Sequence, residues 1–211
     1  MNYLAHIFLS GSNKKMQFGN FIADTVKGSS YNKYPPAIRD GILLHRAIDS
    51  FTDTHPSVKE YIRVMRPHFG RYSGILLDIY FDYILASRFE EYSAVSLKRF
   101  TKRFYFTMIW YFRWLPVSIK SFMLHFIMTN RLSKYGTVEG IKNSLEIMVK
   151  ADKLKISAEE AAEYLIRHEQ EIQTVFRLLF NELKVLCEGY ILTNDRPGYL
   201  KEMRNNLSSY S

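Results

Sequence analysis

Apolar residues recur at spacings of three and four along nearly the whole 211-residue chain, without sustained strict alternation. A period near 3.6 is typical of amphipathic helices, whereas strands that face one core alternate with a period of two. The pattern therefore predicts an all-α protein folded as a compact multi-helix bundle. The predicted helices span residues 16–27, 36–52, 56–69, 73–90, 93–113, 116–131, 137–151 and 157–189.

Local signals mark several of these helix ends. Pro36 suits the first turn of a helix, where a missing N–H costs nothing. Ser157 followed by Glu160 is typical of a capping box and predicts the start of the last long helix. A break is expected just before Pro56, because proline disfavours the helical conformation in the residue that precedes it.

The chain has no internal repeat, low-complexity tract or Gly/Ser-rich linker, so we expect a single all-helical domain over residues 1–211. The His, Asp and Asn residues that could carry chemistry crowd into residues 1–90. The part from 91 to 211 is aromatic and basic, and carboxylates are few between 93 and 151. We therefore expect the site to lie in the first 90 residues.

Composition limits the compartment and the partners. The single cysteine, Cys187, excludes an intrachain disulfide framework and a Cys-rich zinc site. The N-terminus does not resemble a secretory signal, and charged residues and proline interrupt the most apolar window, so no membrane-spanning helix is expected. We expect a cytoplasmic protein. A net charge of +8 favours an anionic partner, which could be nucleic acid, an acidic membrane or an acidic protein.

Two carboxylates interrupt the most apolar predicted helix. Asp78 and Asp82 lie one turn apart in a segment that otherwise has the pattern of a buried stripe. Buried charges must be paired or metal-bound, because desolvating each ion costs several kcal/mol. The same spacing recurs upstream in three pairs: Asn2 with His6, Asn20 with Asp24, and His45 with Asp49. One such pair alone is more often a solvated face or a helix cap, but four pairs predict a polyvalent site.

Residues four apart lie on one face of a helix, so His45 and Asp49 can share a cavity with Asp78 and Asp82. One imidazole and three carboxylates form a mixed ligand set that suits Mn, Fe, Mg or Zn. A divalent metal held there would lower the pKa of a bound water and polarise a phosphoryl or carbonyl oxygen.

Cations near these pairs suggest an anionic substrate. Arg46 and Lys27 are suited to phosphate, because a guanidinium binds phosphate through two hydrogen bonds and always carries charge. Four other histidines are not expected to be ligands, because none has a carboxylate at helical spacing that would point with it into a site. They are His55, His68, His125 and His168.

Ordered blocks along the first 80 or so residues resemble a known family. They are Met1-Asn2-Tyr3-Leu4-Ala5-His6, Gly19-Asn20-Phe21-Ile22-Ala23-Asp24 with Lys27-Gly28, Gly41-Ile42 with His45-Arg46-Ala47-Ile48-Asp49 and Thr52-Asp53, and Asp78 with Asp82. Weaker similarity continues through Asn130-Arg131-Leu132 with Tyr135 and Gly140-Ile141. These blocks resemble the acyl carrier protein phosphodiesterase family.

That family is regarded as a non-standard relative of the HD phosphohydrolases, helical enzymes that hold a divalent metal on His and Asp side chains. The resemblance implies an HD-like bundle that hydrolyses the phosphodiester joining 4'-phosphopantetheine to a serine of holo-acyl carrier protein, typically with Mn²⁺. Carried over by position, the implied site residues are the metal ligands His6, Asp24, His45 and Asp78, the catalytic residues Asp49, Asp82 and Arg46, and the phosphate-binding residues Asn20 and Lys27.

Two positions depart from expectation. The His-Asp doublet of HD enzymes is His45-Arg46 here, a difference that the family shares, so the adjacent-ligand geometry of HD enzymes does not carry over. Tyr83 stands where we expect histidine after Asp82. Loss of that imidazole would alter the acid that protonates the leaving group, or the substrate that is accepted.

The resemblance also suggests which anionic partner the basic chain meets. Acyl carrier proteins are strongly acidic, and a basic surface would accelerate encounter with them. The segment from Lys98 to Phe106 is a candidate docking helix and equally a core helix with a solvated basic face; nucleic acid is not the expected partner. Two alternatives stay open: a phosphohydrolase acting on a nucleotide or other small phosphoester, and a non-catalytic basic helical binding protein. The sequence does not indicate the oligomeric state.

Overall fold

The computed structural model describes residues 1–195, and within them the chain forms helices and no strand. The α-helices in this range are α1 (Tyr3–Leu9), α2 (Lys14–Ile22), α3 (Pro36–Thr54), α4 (Pro56–Phe69), α5 (Ser73–Ser87), α6 (Phe89–Tyr92), α7 (Leu97–Trp110), α8 (Val117–Met128), α9 (Arg131–Lys134), α10 (Val138–Lys150), α11 (Ala158–Arg167) and α12 (Glu169–Asp195). The all-α prediction is confirmed. The part of the predicted domain from 196 to 211 lies outside the described residues, and the single-domain prediction stays a prediction.

Helix α5 forms the centre of the bundle. It packs against α1, α4, α10 and α12, and its residues from Leu76 to Ala86 are buried except Asp78, which is half-buried. A helix that is apolar on all sides is stable in water only when other helices surround it. The central position of α5 follows from this composition.

Helices α2 and α3 pack with their backbones in close contact. A Cβ atom at Gly19 would lie 2.0 Å from the backbone oxygen of Ile38, and one at Gly41 would lie 2.2 Å from that of Met16. Both distances are far below van der Waals contact, so only glycine permits this approach of the two backbones. The packing brings the face of α2 that carries Asn20 against the face of α3 that carries His45.

The predicted helix starts are confirmed where their caps are local. Pro36 and Pro56 each lie in the first turn of a helix, and Ser157 Oγ accepts a hydrogen bond from the N–H of Glu160. Ser96 and Thr137 cap α7 and α10 in the same way.

Several predicted helices were wrong in extent. No helix was predicted at α1, which has only seven residues and too few turns for a periodic pattern. The helix predicted over 157–189 is two helices that meet at His168, and the one over 116–131 is α8 followed by α9, with Asn130 in the left-handed conformation between them. Similarly, 73–90 and 93–113 each end earlier than predicted.

Among the described residues, no helix combines the length and apolar character needed to cross a membrane.

Candidate metal centre

Two imidazoles and one carboxylate from two helices meet at the N-terminal end of the bundle. His6 comes from α1, and His45 and Asp49 come from consecutive turns of α3. One potential ligand atom from each lies within 4.8 Å of the other two. The two imidazole rings are stacked with their centroids 4.0 Å apart.

The carboxylate of Asp49 bridges the two imidazoles. Its Oδ1 lies 3.1 Å from His6 Nε2, and its Oδ2 lies 3.0 Å from His45 Nε2. Asp24, at the 3-10 turn after α2, places Oδ1 3.1 Å from the same His45 Nε2. Neighbouring ligand atoms around an ion with bonds of about 2.1 Å are about 3 Å apart, so this spacing fits a divalent metal.

The tautomer of His45 follows from the hydrogen bonds of Asn20. The amide nitrogen of Asn20 donates to the backbone oxygen of His6 and to Ser10 Oγ, which turns the amide oxygen toward His45. That oxygen lies 3.0 Å from His45 Nδ1, so Nδ1 carries the proton and donates it. Nε2 is therefore directed at the carboxylates, as in histidines that ligate a metal through one nitrogen and are oriented through the other.

The two imidazoles have opposite pKa shifts. Burial and the neighbouring His45 lower the pKa of His6 to about 4, so its ring is neutral. Burial alone would lower the pKa of His45, but the hydrogen bonds that its ring donates to Asp24 and Asp49 outweigh burial and raise that pKa to about 9. Partial burial would raise the pKa of the Asp49 carboxyl, but hydrogen bonds from His45 and His6 hold it far below its usual range. With a pKa of about 9 the His45 ring is charged near neutral pH, and its Nε2–H faces both carboxylates, so a metal that binds at Nε2 would displace that proton.

The second pair of acids, on α5, binds the start of α1. Asp82 is fully buried, and its oxygens accept hydrogen bonds from the backbone N–H groups of Leu4 (2.8 Å) and Ala5 (2.9 Å). These N–H groups belong to the first turn of α1, where no helical carbonyl can accept them. Burial raises the pKa of Asp82 to about 7, although these two hydrogen bonds act to lower it. Asp82 therefore caps α1, and the catalytic role predicted for it has no support in this geometry.

Asp78 lies between the cluster and the start of the chain. Its Oδ1 accepts a hydrogen bond of 2.8 Å from the amino group of Met1, which is 4.0 Å from Asp49 Oδ1. The Asp78 side chain is 36% exposed and lines the same cavity as His45 and Asp49. It is adjacent to the cluster but outside the group of three, so the ligand role predicted for Asp78 stays a prediction.

The residues expected to bind phosphate do not line this cavity. Asn20 is fully buried and engages its amide with protein groups, so its predicted contact with phosphate has no support. The Arg46 guanidinium donates to the backbone oxygens of Val26 and Gly28 and thereby secures the loop after α2. Lys27 is exposed in that loop and does not line the cavity.

Tyr83 lies on the far side of α5 from the cluster. Positions 78 and 83 are about 140° apart around a helix, since each residue adds about 100°. The Tyr83 phenol is close to Glu169 and Arg88, which form an ion pair with each other. The departure noted in the sequence therefore lies away from the His6, His45 and Asp49 cluster.

A cavity of about 440 Å³ is lined by His45 and Asp49 of the cluster, and 8 of its 18 lining residues come from the C-terminal part of the chain. The wall residues from that part, none of which the sequence analysis assigned to the site, are Phe122, His125, Arg131, Tyr135, Ile147, Met148, Ala151 and Lys153. The signal for two of them was the weaker block of similarity around Asn130-Arg131-Leu132 and Tyr135. A larger cavity of about 710 Å³ lies at the other end of α1 and has no His/Asp cluster in its wall.

Comparison with known proteins gives a consistent result. A family model described as "Acyl carrier protein phosphodiesterase" matches residues 1–183. Curated proteins with that same name include one from Yersinia pestis, 40% identical over 91 residues, and one from Serratia proteamaculans (strain 568), 35% identical over 104 residues. These alignments cover 43% and 49% of this chain, and 47% and 54% of the relatives.

The aligned part therefore spans about half the length of the curated relatives. No solved structure matches the chain, and the predicted resemblance to the HD phosphohydrolase fold stays a prediction.

Proposed function

The chain belongs to the acyl carrier protein phosphodiesterase family, and we propose that it hydrolyses the phosphodiester between 4'-phosphopantetheine and a serine of holo-acyl carrier protein. The products are apo-acyl carrier protein and 4'-phosphopantetheine. The observation that carries this proposal is the His6, His45 and Asp49 cluster, of which His45 and Asp49 line a cavity large enough for a phosphodiester group.

We propose that these three residues hold a divalent metal, most favourably Mn²⁺, with Fe, Mg and Zn as other candidates. Two imidazoles favour a transition metal, and the carboxylates keep the site suitable for harder ions. When bound, such an ion lowers the pKa of a water molecule and polarises a phosphoryl oxygen. Asp24 is a fourth donor, since its Oδ1 is within 3.1 Å of His45 Nε2.

The chain's own residues orient these ligands before a substrate arrives. Asn20 fixes the ring of His45 through Nδ1, and Asp82 fixes α1 and with it His6. Hydrolysis then forms a bond from a water oxygen to phosphorus and breaks the bond from phosphorus to the serine oxygen, which takes a proton. Asp78 and Asp24 have carboxylates open to the cavity and are the groups available for proton transfer.

The carrier protein is the proposed partner, and α7 is its proposed docking surface. Lys98, Arg99, Lys102 and Arg103 are exposed on α7 and form no ion pair with any carboxylate of the described residues. Unpaired cations of this kind attract an acidic partner over about 10 Å at moderate salt. We place the reaction in the cytoplasm, which the single cysteine fits.

The test is incubation of the full-length chain with holo-acyl carrier protein and Mn²⁺. We expect release of the thiol-bearing phosphopantetheine and a decrease in carrier-protein mass by that group. EDTA should stop the release, and Mn²⁺ should restore it. If a folded, metal-loaded sample releases nothing but cleaves a nucleotide or small phosphoester in a parallel panel, the carrier-protein proposal is wrong. Cleavage of neither substrate would favour a binding protein.

A further inference from the structure

Arg131 is a buried cation without a carboxylate partner among the side chains of residues 1–193. Its side chain is 8% exposed, and its guanidinium donates a hydrogen bond of 3.2 Å, from Nη2 to the backbone oxygen of Ser144. Its Nε is buried and has no hydrogen-bond partner. An unpaired buried charge destabilises the folded state, so its retention calls for an explanation, and a bound anion is one.

The chain holds Arg131 in place through three neighbouring features. Asn130, just before it, has a left-handed backbone (φ 48°), which turns the chain between α8 and α9. The N–H of Leu132 donates to the Tyr105 hydroxyl at 3.0 Å. A Cβ at Gly140 would lie within 1.8 Å of the Lys134 oxygen, so only glycine lets α10 approach α9 closely enough to bring up the Ser144 oxygen. Backbone strain at Asn130 and this close packing both fix the guanidinium.

Arg131 lines the same cavity as His45, Asp49 and Asp24. Tyr135, one turn further along the chain, lines it too, and the Arg131 guanidinium acts on its phenol through charge and through a hydrogen bond, which leaves the Tyr135 O–H free to donate elsewhere. A planar guanidinium with free N–H donors matches the paired oxygens of a phosphoryl group or a carboxylate. In a cavity that also carries a metal-binding cluster, a phosphoryl group can contact both at once.

We propose that Arg131 binds the non-bridging phosphoryl oxygens of the substrate opposite the His/Asp cluster, with the Tyr135 hydroxyl as a second donor. Arg131 thereby takes the place that the sequence suggested for Arg46 and Lys27. The apolar wall formed by Phe122, Ile147 and Met148 lies beside it and would receive the uncharged part of a phosphoester. The identity of the uncharged part of the substrate rests on the proposed function. The phosphoryl subsite at Arg131 does not depend on it.

Binding of inorganic phosphate to the full-length chain tests the subsite without any need for catalysis. Titration calorimetry with Mg²⁺ present would compare the wild type with Arg131→Gln, Arg131→Lys and Tyr135→Phe. Arg66→Gln, which removes an exposed guanidinium on α4, is the matched control. We expect Arg131→Gln to weaken phosphate binding about 10- to 100-fold, because a charge-assisted hydrogen bond is lost. Arg131→Lys and Tyr135→Phe should weaken it less, and Arg66→Gln not at all.

A purely structural role predicts a different result. Arg131→Gln would then lower the melting temperature through the lost bond to Ser144, while the folded protein would bind phosphate as the wild type does, and the proposal would be overturned. If Arg131→Gln does not fold, unchanged phosphate affinity in both Arg131→Lys and Tyr135→Phe overturns it equally. Weakened phosphate binding without release of phosphopantetheine would uphold the subsite and refute the proposed substrate.

Discussion

Helices α3 and α5 each carry two polar residues four apart, and the structure uses the two pairs differently. His45 and Asp49 on α3 face the cavity and gather a second imidazole from α1. Asp82 on α5 is buried beneath the first turn of α1, while Asp78 reaches only the edge of the cluster. Equal spacing therefore sets the face on which two side chains lie, but the element packed against that face decides what they do.

Replacing Asp49 should give the largest effect on activity. Asp49→Ala removes the carboxylate that bridges both imidazoles. Mutating a group that only orients a metal ligand typically lowers activity about 10- to 100-fold, and we expect the rate of hydrolysis to fall by more than that. Stability should fall by less than in the α5 variant below, because the Asp49 side chain is 39% exposed and His45 Nε2 keeps Asp24 as a partner. Steady-state rates and thermal unfolding would measure both. Asp40→Ala on the same helix is the control and should keep full activity; equal rates in both variants would refute the role of Asp49.

The same substitution in α5 should have the opposite profile. Asp82→Ala leaves two buried N–H groups of α1 without an acceptor, so we expect a loss of about 2–4 kcal/mol in unfolding free energy. Urea denaturation measures this loss, and Mn²⁺ affinity of the folded protein should decrease less than in Asp49→Ala. A variant as stable as the wild type would show that Asp82 does not anchor α1.

Asn20 tests how far orientation of His45 matters. Asn20→Ala removes the oxygen that accepts the Nδ1 proton, so the ring loses its fixed tautomer, and we expect activity about 10- to 100-fold lower. Asn143→Ala, an exposed asparagine on α10, is the matched control and should not alter activity. If Asn20→Ala retains full activity while folded, the tautomer argument fails.

The smallest effect is expected at Tyr83. Tyr83→His restores the residue that the family resemblance leads us to expect, yet position 83 faces Glu169 and Arg88 rather than the cavity. We expect the rate of phosphopantetheine release to change less than about threefold, as for most substitutions outside a site. A large gain in rate would place an imidazole of α5 in the chemistry and contradict the side of the helix that the structure assigns to it.

The sequence predicted those parts of the molecule that depend on local pattern. The helical class, the Ser157 cap and the convergence of His45 with Asp49 all follow from spacing within one element. The function of Asp82 could not be predicted, because its partners are backbone N–H groups of α1, which lies 77 or 78 residues away along the chain. Arg131 was not assigned to the site for the same reason: its place at the cavity depends on how α9 and α10 pack.

Mn²⁺ binding tests the central claim most directly, because it depends on the cluster and not on any substrate. Electron paramagnetic resonance of metal-free protein titrated with Mn²⁺ would compare the wild type with Asp49→Ala and Asp40→Ala. We predict that the wild type and Asp40→Ala bind Mn²⁺ and that Asp49→Ala leaves it free in solution. Equal binding by all three proteins would contradict a metal centre formed by His6, His45 and Asp49.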